Sequence, residues 1–287
     1  MVVKEYEDSQ TFLNDYESIL LKHESVSQLI LYNAYQSKND LINNKGMFGA
    51  VCEEENTVLL FCNVPLHNLV IYVVQQDNTV PASIALADSL GNKHIIINGI
   101  NAKLDICQSF MEQYKKYISC TFAEKLGMDI MEIRQINDIK PVEGIQRLAL
   151  LEEAKHVTDW MIQFQLEALT SEMDYEAALK KATKYIEDKK IYLYENSEQK
   201  VVSMAVAARK LAHGIAITYV YTPEEYRGKG YAAANLYYLS KEMLVQGYEF
   251  CTLFVDKKNP LSTRAYEKVG YKILQENYEF SVIPTEV

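Results

Sequence analysis

The chain lacks several things that would have assigned it to well-known classes. It has no CxxC pair, and its cysteines, Cys52, Cys62, Cys107, Cys120 and Cys251, are odd in number. That pattern suggests neither a disulfide framework nor a zinc site, so the thiols read as reduced and no metal is expected. Positive charge is in deficit: 29 Lys and Arg stand against 39 Asp and Glu, a net charge of −10. Nonspecific nucleic-acid binding needs a basic face, so nucleic acid is set aside as a partner. The acidic balance suits a solvated surface and is compatible with a cationic substrate. No apolar run is long enough to cross a bilayer, and VVKEYEDSQTF after Met1 is too charged for a signal peptide. There is no low-complexity segment. The expectation is a cytoplasmic protein without a membrane partner.

What is present suits one large globular domain or two ordinary ones: 287 residues, 48% hydrophobic and 24% charged. In the first half, Phe12, Tyr16, Leu20, Leu29 and Tyr32 recur at helical spacing. Glu54-Glu55-Asn56 separates two apolar runs as the turn of a hairpin. Ile95–Ile97 reads as a short strand, and LDICQSFMEQYKKYISCTF as an amphipathic helix. A strand-like run followed by Lys140-Pro141 and Gly144 marks a crossover or linker, because proline disfavours helix before it. The domain boundary is placed near residue 136, giving domains 1–136 and 137–287.

The second half is more regular. IQRLALL is a strand candidate; Val157, Trp160, Met161, Phe164 and Ala168 share a helical face; YEAALKKATKYIED is a second helix. KIYLYEN and KVVSMAVAAR form a hairpin, and GIAITYVYT is another strand. A helix over 231–246 ends at Gly247. EFCTLFVD is a buried strand. PLSTRAYEK is a short helix with Asn259 as N-cap, Pro260 at its first position and Gly270 past its end. YKILQ and YEFSVIP close the chain as strands.

Between GIAITYVYT and the long helix lies Glu224-Glu225-Tyr226-Arg227-Gly228-Lys229-Gly230. A helix start presents unpaired N–H groups and partial positive charge. Glycines permit close approach or a left-handed turn, and Arg227 and Lys229 add charge. Together these make a cradle for a phosphate or pyrophosphate. No GKS or GKT follows, so this is not a Walker loop, and Gly228, Gly230 and Ala233 do not fit GxGxxG.

Arg227-Gly228-Lys229-Gly230-Tyr231-Ala232 resembles the R/Q-x-x-G-x-G/A signature of the GCN5-related N-acetyltransferases, and NPLSTRAYEKVGY resembles that family's second signature, an Asn followed by a Tyr on the next helix. The order of elements from residue 145 onward is similar too. The resemblance implies an α/β fold with a mixed, mostly antiparallel sheet flanked by helices. It implies an N-acetyltransferase that moves acetyl from acetyl-CoA to a primary amine by direct attack. The loop amides of Arg227, Gly228, Lys229, Gly230, Tyr231 and Ala232 would bind the pyrophosphate. Pantetheine would lie between two splayed strands against the backbone of Tyr219, Val220 and Tyr221, with the amide of Val220 or Tyr221 polarising the thioester carbonyl. Asn259, with Ser262, would bind the pantetheine arm, and Tyr266 would protonate the leaving thiolate; a phenol of pKa ~10 stays protonated at neutral pH.

Bland roles stand beside these: Asn259 as a cap alone and Tyr266 as a core aromatic. No general base is assigned. Glu167, Glu172 and Asp174 lie around the segment joining the first two helices, which the resemblance implies lines the acceptor site; His213 sits in the turn before the motif strand, and His156 and Asp159 read as first-turn residues. The first half has no R/Q-x-x-G-x-G/A, in DSLGNKH, INGINAK or elsewhere, so it is expected to bind no CoA. It stands either as a degenerate copy of the same fold or as an unrelated α/β domain, serving to wall the acceptor site or to form a homodimer surface. For the whole chain, acetylation of a small-molecule amine stands first. A non-catalytic acyl-CoA-binding module and an enzyme acting on a protein amine are the alternatives.

Overall fold

The structure, a computed structural model, describes residues 1–39, 46–169 and 171–285. The first ten elements are β1 (Val2–Tyr6), α1 (Ser9–Leu21), α2 (Glu24–Asn39), β2 (Met47–Glu53), β3 (Asn56–Asn63), β4 (Leu69–Val73), α3 (Thr79–Asn92), β5 (Gly99–Ala102), α4 (Leu104–Tyr114) and β6 (Cys120–Ile133). The next ten are β7 (Gly144–Leu148), α5 (Ala154–Leu169), α6 (Tyr175–Glu187), β8 (Ile191–Asn196), β9 (Val201–Lys210), β10 (Gly214–Tyr221), α7 (Tyr231–Val245), β11 (Phe250–Asp256), α8 (Pro260–Val269) and β12 (Lys272–Pro284). Apart from two short 3-10 turns, one order runs twice: strand, two helices, three strands, helix, strand, helix, strand.

The chain divides into two compact units, Met1–Met128 with Gln275–Val287, and Asp129–Leu274. Both are mixed α/β units. In the first, strands follow the order β1-β2-β3-β4-β5-β12. β1 to β4 are antiparallel neighbours, β5 joins β4 in parallel, and β12 joins β5 antiparallel, Tyr278 to Ser281 facing Ala102 to Gly99. The sheet's period of two sorts its side chains. Phe48, Ala50, Leu60, Cys62 and Tyr72 pack with α1 and α2, while Val51, Leu59, Phe61, Ile71 and Val73 pack with α3 and α4.

The second unit repeats this arrangement. β7 to β10 are antiparallel neighbours, and β11 joins β10 in parallel. Beyond β11 lies β6, whose Met131 carbonyl accepts a 2.9 Å bond from Thr252 Oγ1. Leu193, Met204 and Val206 face α5 and α6; Tyr192, Ala205, Ile215 and Ile217 face α7 and α8.

Several expectations are adjusted. β6 passes from the first unit to the second at Met128, close to the boundary expected near residue 136, and β12 returns to the first unit after Leu274, which a single boundary does not describe. The physical reason is pairing: β12 is hydrogen-bonded to β5. Ile95–Ile97 is not a strand. The Ile95 amide donates to Leu90 O at 3.0 Å and so ends α3, and the strand starts at Gly99. α3 is not among the expected elements; it carries Pro81 in its first turn, where proline is tolerated. The last two expected strands are one, β12.

Candidate active site

β10 and β11 pair only from Gly214–Ala216 against Phe250–Thr252 among the described residues. Beyond that point each strand runs on without the other, β10 to Tyr221 and β11 to Asp256. On its other side, β10 pairs Thr218 with Val206 and Tyr221 with Met204, so Tyr219 and Val220 oppose the single residue Ala205. This is a β-bulge, with Tyr219 at φ +50° in the left-handed region. The extra residue resets the strand's parity. Ile215, Ile217 and Val220 pack on the α7/α8 side, whereas Tyr219 and Tyr221 turn to the α5/α6 side, where Phe164 and Trp160 meet their rings at 5.1 and 5.8 Å. Lys181 Nζ donates to Tyr219 Oη at 3.0 Å.

The connection to α7 begins with a turn at Glu224–Tyr226, closed by Arg227 N donating to Glu224 O at 3.1 Å. Arg227 Nε donates to Thr222 O at 2.8 Å, and Lys229 Nζ to Glu225 O at 2.9 Å. Gly228 has φ +74° and a β-carbon there would meet nothing within 4 Å, so the space in front of it is open. Gly230 is the N-cap of α7, at φ +87°, and offers no side-chain cap. The first helical bond at this end runs from Ala234 N to Gly230 O, at 3.0 Å. The amides of Tyr231, Ala232 and Ala233 therefore lack helical acceptors and lie at the positive end of the helix. Open space, free amides and exposed Arg227 and Lys229 are the chemistry of an anion site.

The ends of this loop are held by a buried polar network that no motif flags. Asn235 Nδ2 donates to Tyr192 O at 3.2 Å, while its Oδ1 accepts from Gln146 Nε2 at 2.6 Å. Ser203 Oγ donates to Tyr221 O and accepts from Thr222 Oγ1, both at 3.1 Å. Asn235 and Ser203 are fully buried. The one sequence signal is a lone Asn between apolar neighbours, Ala234 and Leu236.

On the far side of the gap, Asn259 caps α8: its Oδ1 accepts from Ser262 N at 3.1 Å. Tyr266 lies one turn after Ser262 and is buried, at 6% exposure. Burial pushes its phenol up to about 12, partly offset by a hydrogen bond with Ser262. It is thus held protonated, a group that can give a proton but does not take one at neutral pH. Tyr266 and Val220 share one apolar core, which brings the end of β10 and the inner face of α8 together.

The candidate bases scatter. Asp174 is spent on capping α6 through the amides of Glu176 and Ala177. His156 packs on Trp160, ring centres 4.2 Å apart, and Glu172 is exposed. Glu167 accepts from Arg227 Nη2 at 2.5 Å and from Tyr221 Oη at 3.3 Å. No cluster of three or more His, Cys, Asp or Glu among the described residues could hold a metal, and none of the described helices is long and apolar enough to cross a membrane.

Residues 154–271 match the family model described as the acetyltransferase (GNAT) family. No curated protein matches the chain. Solved structures do. A GNAT-family acetyltransferase from Colwellia psychrerythraea superposes with TM-score 0.53 at 13% identity, covering 98% of this chain and 99% of that one. A Drosophila protein from a structural genomics consortium gives TM-score 0.64 at 12% identity, covering 99% of each. A GCN5-related N-acetyltransferase from Sphaerobacter thermophilus gives 0.58 at 13%, covering 91% and 87%. At these identities the likeness is one of fold, and it spans nearly the whole chain.

Proposed function

We propose, for a chain that carries a GNAT acetyltransferase domain over residues 154–271 and is an acyltransferase, that it moves acetyl from acetyl-CoA to the primary amine of a small molecule in the cytoplasm. Members of the family pass an acyl group from acyl-CoA to an amine. The choice of acetyl, the small acceptor and the residues that follow are the further step. The catalytic domain in this reading is 137–287.

One observation carries the proposal: a left-handed, uncapped glycine helix start stands beside a strand gap, with a protonated tyrosine behind it. Bound acetyl-CoA supplies an acyl group activated as a thioester, whose C–S bond gives way to a C–N bond while the amine's proton leaves to solvent. The amides of Gly228 to Ala232 and the charges of Arg227 and Lys229 hold the pyrophosphate; the open space at Gly228 fits it. The bulge takes Tyr219 and Val220 out of the one-to-one pairing just before Tyr221, and in this reading pantetheine lies against the backbone of Tyr219 to Tyr221, with the amide of Val220 or Tyr221 polarising the thioester carbonyl. Asn259 and Ser262 orient the pantetheine arm. Tyr266 Oη holds the proton that the departing sulfur receives.

The test is release of free thiol from acetyl-CoA across a panel of amines. Turnover with a small amine supports the reading. CoA binding without turnover of any amine, small or protein-borne, overturns it in favour of a binding module.

A further inference from the structure

Arg227 belongs to the loop that the proposed function gives to phosphate, yet in this structure its guanidinium is engaged elsewhere. Nη2 is 2.5 Å from Glu167 Oε2, and the guanidinium carbon stands 5.8 Å from the centre of the Tyr221 ring. Tyr221 Oη donates to the other Glu167 oxygen at 3.3 Å. Glu167, in the last turn of α5, and Tyr221, at the end of β10, therefore make a two-part receptor for an organic cation: a carboxylate with a ring face beside it. Arg227 is the cation now seated in it. Both partners of the pair are nearly half exposed, side chains 45% and 44%, and surface pairs of this kind hold weakly. A phosphate offers the same guanidinium two oxygens in the geometry of a bidentate pair, which is stronger.

We infer that Glu167 and Tyr221 form the recognition site for a cationic group of the acceptor, vacated by Arg227 when phosphate takes it. The inference rests on the proposed function, since phosphate must bind the 227–232 loop. It adds a substrate class, an amine carrying a second positive charge, and an order, CoA before acceptor. The carboxylate stays oriented after Arg227 leaves, because Tyr221 still donates to it. The ring stays in place because Trp160 packs on it from α5. The acceptor thus takes over contacts that already exist for the arginine.

Calorimetric titration of the full chain separates the two claims. CoA is titrated into wild type and Glu167→Gln. Then a butane diamine, and the amino alcohol that replaces one of its ammonium groups by hydroxyl, are titrated with and without saturating CoA. Glu167→Gln keeps the shape and removes the carboxylate charge that holds Arg227, so CoA is expected to bind it about two- to fivefold more tightly than wild type. The diamine is expected to bind wild type at least about fivefold more tightly with CoA present, to lose that gain in Glu167→Gln, and to outbind the amino alcohol only in wild type. Equal or weaker CoA binding by the variant, or diamine binding that is absent or indifferent to CoA, overturns the inference. Absence of CoA binding to wild type overturns the function from which it starts. Thermal melting of both proteins confirms that the variant is folded.

Discussion

The passage from β10 to α7 and the passage from β4 to α3 occupy the same place in the repeated order, and they differ in nearly everything chemical. Each ends in a left-handed N-cap without a side-chain cap bond, Gly230 at φ +87° and Asn78 at φ +60°. The connection 222–230 carries Arg227, Gly228, Lys229 and Gly230; the connection 74–78 is shorter and has neither glycine nor basic residue. Beside the start of α3, Glu53 accepts a 2.6 Å bond from Asn78, so a carboxylate stands near the amides that a phosphate would need. β4 pairs with β3 in unbroken register from Leu69's neighbour Val70 to Val73, whereas β10 is bulged at Tyr219. The caps of the last helices are Lys103, with no cap bond, and Asn259, with one. Seven residues on stand Phe110, fully buried, and Tyr266. The comparison teaches that alternating apolar strands and two helices per face suffice for this topology, while a handful of positions make a site of it.

The largest test of that contrast is Gly230→Glu. A side chain at φ +87° is strained, Val142 lies 3.1 Å from the new β-carbon, and a carboxylate would oppose the pyrophosphate. Wild type is expected to bind one CoA per chain and to gain melting temperature by mass action; the variant is expected to lose both. Calorimetric stoichiometry of two, with half surviving the substitution, would break the comparison by giving the first half a site of its own.

Tyr266→Phe comes next, since it installs the ring that the first half carries at Phe110. Turnover is expected to fall by ~10²–10⁴-fold with CoA affinity nearly unchanged. Its phenol is raised to about 12, so as an acid it is present below that pH and lost above it. The profile of kcat in wild type should therefore show no loss from this group up to about pH 10. An unchanged kcat, with chemistry rate-limiting, returns Tyr266 to the core.

The reciprocal change, Phe110→Tyr, should gain no activity. It places a hydroxyl in a fully buried site, and an unpartnered one costs about 1–3 kcal/mol. A denaturant midpoint lowered at constant slope would record this. Smallest is the pair of caps. Asn259→Ala should cost about 1 kcal/mol, while Lys103→Ala should stay within about 0.5 kcal/mol, because its side chain makes no cap bond. Equal losses in the two unfolding curves would mean that the caps are not the distinguishing feature proposed.

Most of the second half was legible in the sequence. The helical spacing of Val157, Trp160 and Met161, the Asn259-Pro260 start and the Gly247 and Gly270 stops are local signals, and local signals survive into the structure. The glycine loop was legible for the same reason. What stayed hidden depends on distant partners. The bulge at Tyr219 exists only against Ala205, and nothing in GIAITYVYT announces it. The Asn235–Gln146–Ser203 network joins three elements far apart in sequence. In the first half, the glycines of DSLGNKH and INGINAK lie at the end of α3 and in β5, not at a helix start. The counterpart loop is Val74 to Asn78, in front of α3.

The crossing of β6 and β12 sets a timetable. β5 is made early, yet its antiparallel neighbour arrives with β12: Asn277 donates its side-chain amide to Asn101 across 176 residues of chain. At ~5–20 residues per second of synthesis, that partner follows roughly 10–35 s later. Through that interval one edge of the first unit's sheet has no partner from its own half, and an open edge invites pairing with another chain. The first half to be made is thus the last to be finished, and its safety during synthesis depends on how quickly the second half follows.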